Sequence, residues 1–382
     1  MIKIAYVVDS TIPSKQANSV HAVKQARAFS KLAETILICR EASEETVSGK
    51  LLKEYGVEKS FRILPANVRA SGRAKILLSG MKAAQLVKKE RNVDFLYGRS
   101  VLSLYFARNA APFMFEAHDW PEGKLLRFFL KRMLESKNCR GLVTISGELK
   151  KQFLREFPFL RDENVHVLHD GADIPAFTPE KLPIDNTQNA DPEVVIGYLG
   201  HLYPGKCMEI IMAVAKKRPQ YVFHIAGGTD ELVAYWNREL EKQNIRNVKL
   251  YGYIENKAVG EWYNTFHIFL LPIQKHIILG NGKRDIGKWI SPLKLFEAMS
   301  YGKAILASDL PTIREVIVDG VNGLLADPDD AEDWARAIDE LVCDKAKRDA
   351  LGAKARETLE SKYTWDKRAA QILGFLENAA PQ

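Results

Sequence analysis

Short apolar runs rich in β-branched residues recur along this chain with helical stretches between them, and that alternation limits the fold more than any other feature. The probable strands of the first half are IKIAYVV (2–8), ETILIC (34–39), FRILPA (61–66), DFLYGR (94–99), FMFEAH (113–118), GLVTIS (141–146) and VHVLHD (165–170). Strands separated by helices predict a parallel sheet covered by helices. The tract IDNTQNADPE (184–193) is polar, has no apolar periodicity and reads as a linker. The alternation then restarts with VVIGYLG (194–200), YVFHIAGG (221–228), VKLYGYI (248–254), IFLLPI (268–273), KAILAS (303–308) and NGLLAD (322–327). The expected architecture is α/β: one Rossmann-like domain over 1–184, a linker at 185–193 and a second over 194–363. A final helix, 364–380, is expected to pack back on the first domain. At 382 residues the chain is long enough for two cores. Open α/β sheets bind ligands beyond the carboxyl ends of their strands, so a site between the domains is the expectation.

Composition narrows the class. Hydrophobic residues make up 46% and charged residues 27%, values of an ordinary globular protein. MIKIAYVVDS lacks the basic start and cleavage site of a secretory signal and reads as a first strand. No apolar run approaches the roughly twenty residues that span a bilayer. Cys39, Cys139, Cys207 and Cys343 are far apart and show no zinc or disulfide spacing, which fits a reducing cytoplasm. The net charge of +7 favours anionic partners without choosing among them. The charge is dispersed and no recognised module appears, which disfavours nucleic acid. The first strand is not followed by GxGxxG, which disfavours dinucleotide chemistry.

The stretch WISPLKLFEAMSYGK (289–303) contains a helix start with an odd charge. Ser291 is a natural N-cap, Pro292 suits the first helical position and Gly302 suits the stop. A capping box would place Glu or Gln three residues after the Ser, yet the chain has Lys294. A cation at the positive end of a helix dipole makes sense if an anion completes the site; otherwise Lys294 pairs with Glu297 one turn later. GHLYPGK (200–206) repeats the theme, setting Lys206 in a first helical turn beyond a strand end. The segment QKHIILGNGKRDIGKW (274–289) has no clear periodicity and reads as a mobile flap over the cleft.

WISPLKLFEAMSYGKAILASDLPTIREVIVDGVNGLLADPDD resembles the signature of the family 4 retaining glycosyltransferases, with PSKQANSVHAVKQARAF, FEAHD, LHDGAD, IAGG and YTWDKRAAQIL similar in register. The resemblance implies the GT-B fold, two Rossmann-like domains facing each other across an interdomain cleft. It implies a nucleotide diphosphate sugar as donor, a hydroxyl acceptor and transfer of a hexose-type sugar with retention, in glycan, polysaccharide or glycolipid synthesis. Neither a metal nor another cofactor is implied, and no DxD-like site appears in the right context. Glu297 corresponds to the residue that holds the donor ribose, Lys206 to the phosphate lysine and His118 to the histidine beside the donor sugar. Ser291, Pro292, Leu293 and Lys294, with Gly200 and His201, would meet the donor diphosphate from the second domain. Asn18, Ser19, Arg99 and Ser100 would approach it from the first.

Three positions depart from the family pattern. Trp289 stands eight residues before Glu297 where many members have a sugar-binding Glu, and Asp285 is a substitute within the flap. His201 replaces an Arg, and Ala17, Asn18 and Ser19 replace consecutive glycines. These changes leave a noncatalytic nucleotide-sugar sensor or scaffold as the other reading; a sugar-nucleotide epimerase has only the architecture in its favour. In GKLLRFFLKRMLESK (123–137), Leu126, Phe129, Leu130 and Met133 share one helical face flanked by Lys124, Arg127, Lys131 and Arg132. This is an ordinary amphipathic helix, or a peripheral contact with the inner face of a membrane that brings a lipid-linked acceptor within reach.

Overall fold

The structure is a computed structural model describing residues 1–14, 16–175, 182, 184, 187, 193–279, 284–285 and 287–378. Apart from Thr187 and Glu193, the linker expected at 185–193 lies outside the described residues. The chain divides into two compact units, Met1–Asp170 with Trp365–Gln382, and Gly171–Thr364.

The first unit contains seven parallel strands: β1 (Lys3–Val7), β2 (Glu34–Cys39), β3 (Arg62–Pro65), β4 (Phe95–Gly98), β5 (Phe113–Ala117), β6 (Cys139–Thr144) and β7 (Val165–Val167). Their order is β3-β2-β1-β4-β5-β6-β7. Runs such as Ile4–Val7 and Ile36–Cys39 are buried at every position, as strands covered on both faces must be. β6 begins two residues before the expected strand 141–146. Cys139 pairs with Phe113 and Gly141 with Met114, so Arg140 is an extra residue in the ladder and Gly141 takes a φ of 151°. A glycine that suggests a strand start thus sits inside a bulged strand.

The second unit repeats the plan. Its strands are β8 (Ile196–Leu199), β9 (Phe223–Ala226), β10 (Val248–Leu250), β11 (Ile268–Leu271), β12 (Ala304–Ser308) and β13 (Leu324–Ala326), in the order β10-β9-β8-β11-β12-β13. Both sheets therefore reverse direction beside their first strand, which is the Rossmann arrangement.

The last helix, Trp365–Asn378, buries Trp365, Arg368, Ala369, Ile372, Leu373 and Leu376 and packs on the helix Ala17–Ser30 of the first unit. The spacing of these residues is that of one helical face. A guanidinium on that face requires buried partners.

Candidate active site

In the first unit the order reverses between β1 and β4, and the loops leaving those strands carry candidate residues. Arg99 follows β4, and its backbone N–H donates to Val7 O at 2.9 Å, tying the two strand ends together. Ser100 caps the helix Val101–Ala107, its Oγ accepting from Ser103 N at 3.4 Å. Ser19 lies in the first turn of Ala17–Ser30 and is fully buried. Its hydroxyl donates to Ser14 O (2.7 Å) and Gln16 O (2.9 Å). Both serines therefore spend their side chains on shaping the loops. Asn18 Oδ1 and Arg99 Nη1, in contrast, are buried with no hydrogen-bond partner among the described residues, so each could serve a ligand.

His118 leaves β5 beside a buried ion network. Its Nε2 bonds Oε1 of Glu116, which is fully buried in the middle of β5. The same oxygen lies 3.1 Å from His21 Nε2 and accepts from Arg368 Nη2 at 3.0 Å. His21 Nε2 is also 3.2 Å from Asp170 Oδ1, and its ring stands edge-on to both His118 and Trp365, with centroids 4.8 and 4.9 Å apart. Burial alone would raise the Glu116 carboxyl, but Arg368, His21 and His118 overcome it and hold the group well below the usual carboxylate range. Burial and the charge of Arg99 push the His118 ring down to about 4, against the pull of Glu116. The ring is therefore neutral near pH 7. Its side chain keeps 21% of its surface exposed, so it can still meet a ligand.

His21, His118 and Asp170 bring two ring nitrogens and a carboxylate oxygen within 4.8 Å of one another, donor types that suit a metal. Beside this cluster Arg368 and both rings meet at Glu116 Oε1, so one fixed cation faces the two carboxylates of the network.

In the second unit, β8 leads into Gly200 and His201 at the corresponding reversal. A Cβ on Gly200 would fall 2.5 Å from Tyr198 Oη, whose hydroxyl donates to His201 O at 2.8 Å. Gly205 has a φ of 81°, and a Cβ there would meet His276 O at 2.2 Å, so only glycine fits the turn before Lys206. Burial pushes the Lys206 ammonium down to about 8. The His201 ring is lowered by burial and by the charges of Lys206 and Lys294.

The helix Leu293–Ser300 begins one residue later than the capping pattern suggests. Pro292, not Ser291, is the N-cap: it keeps an extended ψ of 115° and makes no side-chain cap bond. Gly302 takes the left-handed φ of 61° expected of a helix stop. Lys294 Nζ lies 2.6 Å from Glu297 Oε2, the one-turn pairing that the sequence allows. Tyr263 supports this corner, donating its hydroxyl to Lys294 O at 3.2 Å and lying under the Lys294 ammonium at 5.9 Å. Asp285 is engaged within its own segment, accepting from Ile277 N (3.0 Å) and Gly287 N (2.9 Å) and bonding His276 Nδ1 (2.7 Å).

Sequence reasoning misses Glu116, His21, Arg368 and Tyr263. For three of them a signal exists: a lone Glu within the apolar run FMFEA, and a His and an Arg on helix faces otherwise headed for the core. Tyr263 carries none.

Two Rossmann-like sheets of one plan, each with candidate residues beyond its carboxyl ends, define a GT-B protein. Residues 180–358 match the family described as Glycosyl transferases group 1. It is similar to the D-inositol 3-phosphate glycosyltransferase of Xylanimonas cellulosilytica, with 25% identity over 246 residues covering 57% of this chain and 52% of that protein. The match thus spans about half the length of that relative. The glycosyltransferase of Rickettsia africae ESF-5 has the same fold (TM-score 0.74, 16% identity, 99% of this chain and 98% of that one). So does Anabaena Alr3699/HepE in complex with UDP and glucose (TM-score 0.72, 16% identity, 99% and 100% coverage).

Proposed function

We propose that the protein transfers a hexose-type sugar from a nucleotide diphosphate sugar to an acceptor hydroxyl, with retention of configuration and without a metal, in the synthesis of a glycan, polysaccharide or glycolipid. The observation that carries this reading is that one unit sets Lys206 in the turn beyond β8 and Lys294 in the first turn of Leu293–Ser300, with the charges of both acting on His201. Free backbone N–H groups and two ammonium groups suit a diphosphate. Glu297 takes the ribose hydroxyls, exchanging its bond to Lys294 for bonds to the diol. The Anabaena relative's complex with UDP and glucose supports a donor of this class.

In the reaction the bond between the anomeric carbon and the diphosphate oxygen breaks, and the acceptor oxygen bonds the same face of that carbon. The acceptor proton passes to the departing diphosphate. Lys206 and the helix start stabilise the charge that develops there. His118 orients the sugar. Trp289, where a Glu is usual, removes one contact to the donor sugar and so bears on which sugar is accepted.

Among the described residues no helix is long and apolar enough to cross a membrane. The helix Lys124–Leu134 buries Leu130 and Met133, and Phe129 packs edge-on against Tyr105 with centroids 4.8 Å apart. The apolar residues left outside are Leu125 and Phe128, beside exposed Lys124, Lys131 and Arg132. This surface supports a cytoplasmic protein that meets an acidic membrane face where a lipid-linked acceptor lies.

The test is a panel of nucleotide sugars and acceptors with product stereochemistry read by NMR. Transfer with retention that is lost in Lys206→Ala and Glu297→Ala is expected. Ligand-induced stabilisation without turnover would favour the sensor reading.

A further inference from the structure

We propose that Arg368 is a positioning residue for His118, acting through Glu116, so that the last helix of the chain sets the ring at the sugar site. The inference rests on the functional reading above only in naming the sugar as what His118 meets; the geometry of the ring stands apart from it.

Glu116 is ionised and can only accept. The Nε2 atom bonded to it must therefore carry the proton of the neutral His118 ring, which leaves Nδ1 as a pure acceptor. A ring in this state accepts a hydrogen bond from a hydroxyl of the sugar or of the incoming acceptor, and it cannot donate one.

What fixes Glu116 is the fork of Arg368. Nε donates to His169 O at 3.0 Å, Nη1 to Gln25 Oε1 at 2.7 Å and Nη2 to Glu116 Oε1 at 3.0 Å. One planar group thus ties the segment after β7, the helix Ala17–Ser30 and β5 together. A lysine could keep the charge but not the three directions. The other charged or titratable groups acting on this cluster are Tyr6 from β1, Tyr97 and Arg99 from β4 and its end, His21 from the helix Ala17–Ser30, and Asp170 after β7. Asp170 is the second anion of the cluster, its oxygen within 4.8 Å of a His118 ring nitrogen, but the guanidinium bonded to Glu116 Oε1 is that of Arg368, and the orientation of Glu116 depends on it.

The test uses the full chain labelled with ¹⁵N-histidine, the His118 signal being assigned through its loss in His118→Gln. Long-range ¹H–¹⁵N spectra of the wild type should show a neutral Nε2–H ring from pH 8 down to 5.5. In Arg368→Lys, with folding checked by circular dichroism, the signal should move to a mixture of tautomers. Turnover should fall about tenfold with donor KM little changed, because a loosely held ring costs orientation rather than binding. A charged or Nδ1–H ring in the wild type would overturn the proposal. So would an unchanged tautomer and kcat in Arg368→Lys, or a divalent metal retained at one per chain whose chelation moves the His118 signal. The ring is read without substrate, so a wild type that transfers no sugar would defeat the functional reading and leave this test standing.

Discussion

Arg368 Nη2 lies 3.0 Å from Glu116 Oε1, and both side chains are buried, although 252 positions separate them in sequence. Breaking such a pair strands a charge in the core. Arg368→Met should cost about 3–5 kcal/mol of stability, and Arg368→Met with Glu116→Leu should recover part of that loss. Urea denaturation of the two variants and the wild type checks both statements; equal losses in the single and double variants would mean that the pair is not coupled.

Lys206, lowered to about 8 by burial, should gain charge stability when a diphosphate binds. Its pKa then rises, and binding near pH 8.5 takes up a proton. Calorimetry with UDP or GDP in two buffers of different ionisation enthalpy measures that uptake. In Lys206→Ala the uptake should vanish and affinity should fall by at least about tenfold, one charge-assisted contact being worth about 1.5–3 kcal/mol.

For Lys294 the stability and binding effects should separate. Its pair with Glu297 leaves the two side chains 30% and 25% exposed, so Lys294→Ala should cost no more than about 1 kcal/mol of stability. Donor affinity should fall well beyond what that loss explains. Melting temperature and nucleotide Kd measured on the same sample decide the matter. A variant with unchanged affinity would show that Lys294 serves only its ion pair.

Gly227 should not tolerate alanine. Its φ is 121°, and a Cβ would lie 2.0 Å from Gly200 O, just beyond β8. Gly227→Ala should therefore destabilise the second unit by about 1–3 kcal/mol and impair nucleotide binding. Gly252→Ala makes a useful control: it also has a positive φ, 72°, but a Cβ there meets nothing within 4 Å.

The histidines make stability depend on pH. Burial lowers His169 to about 4, against the pull of Asp170, while an unfolded histidine titrates near 6.5. Between those values the unfolded chain binds the extra proton, so this group's contribution to stability falls as pH drops through that window and is at its full value above it. Denaturant midpoints at pH 7 and pH 5 should show the decline, and His169→Gln should flatten it. His118, also lowered to about 4, contributes in the same direction. Equal slopes for wild type and variant would exclude His169 as a source.

Much of the candidate site is legible in the sequence because its residues lie in short local patterns. A helix start with Lys294 in place of a capping acid, and a strand end running into Gly205 and Lys206, signal anion binding from their own chemistry. Ser19 and Ser100 show where such reading stops: each is a polar residue in the right loop, yet its hydroxyl closes the loop itself. Leu125 and Phe128 make the same point for a helix. Periodicity selects the apolar face with Leu126 and Phe129, but the packing of neighbouring helices decides which apolar residues stay outside.

By itself the sequence determined two α/β units, since alternating apolar runs and helices can bury their faces in few other ways. It also determined the local pattern around Lys294 and Glu297 on which the resemblance rests. Tertiary structure decided the strand order that places β1 and β8 at the reversals, and it alone joined Glu116, His21, His118 and Arg368. Burial pattern tells which side chains go inside. It does not tell which distant charge will meet them there, because that partner is set by the path of the whole chain.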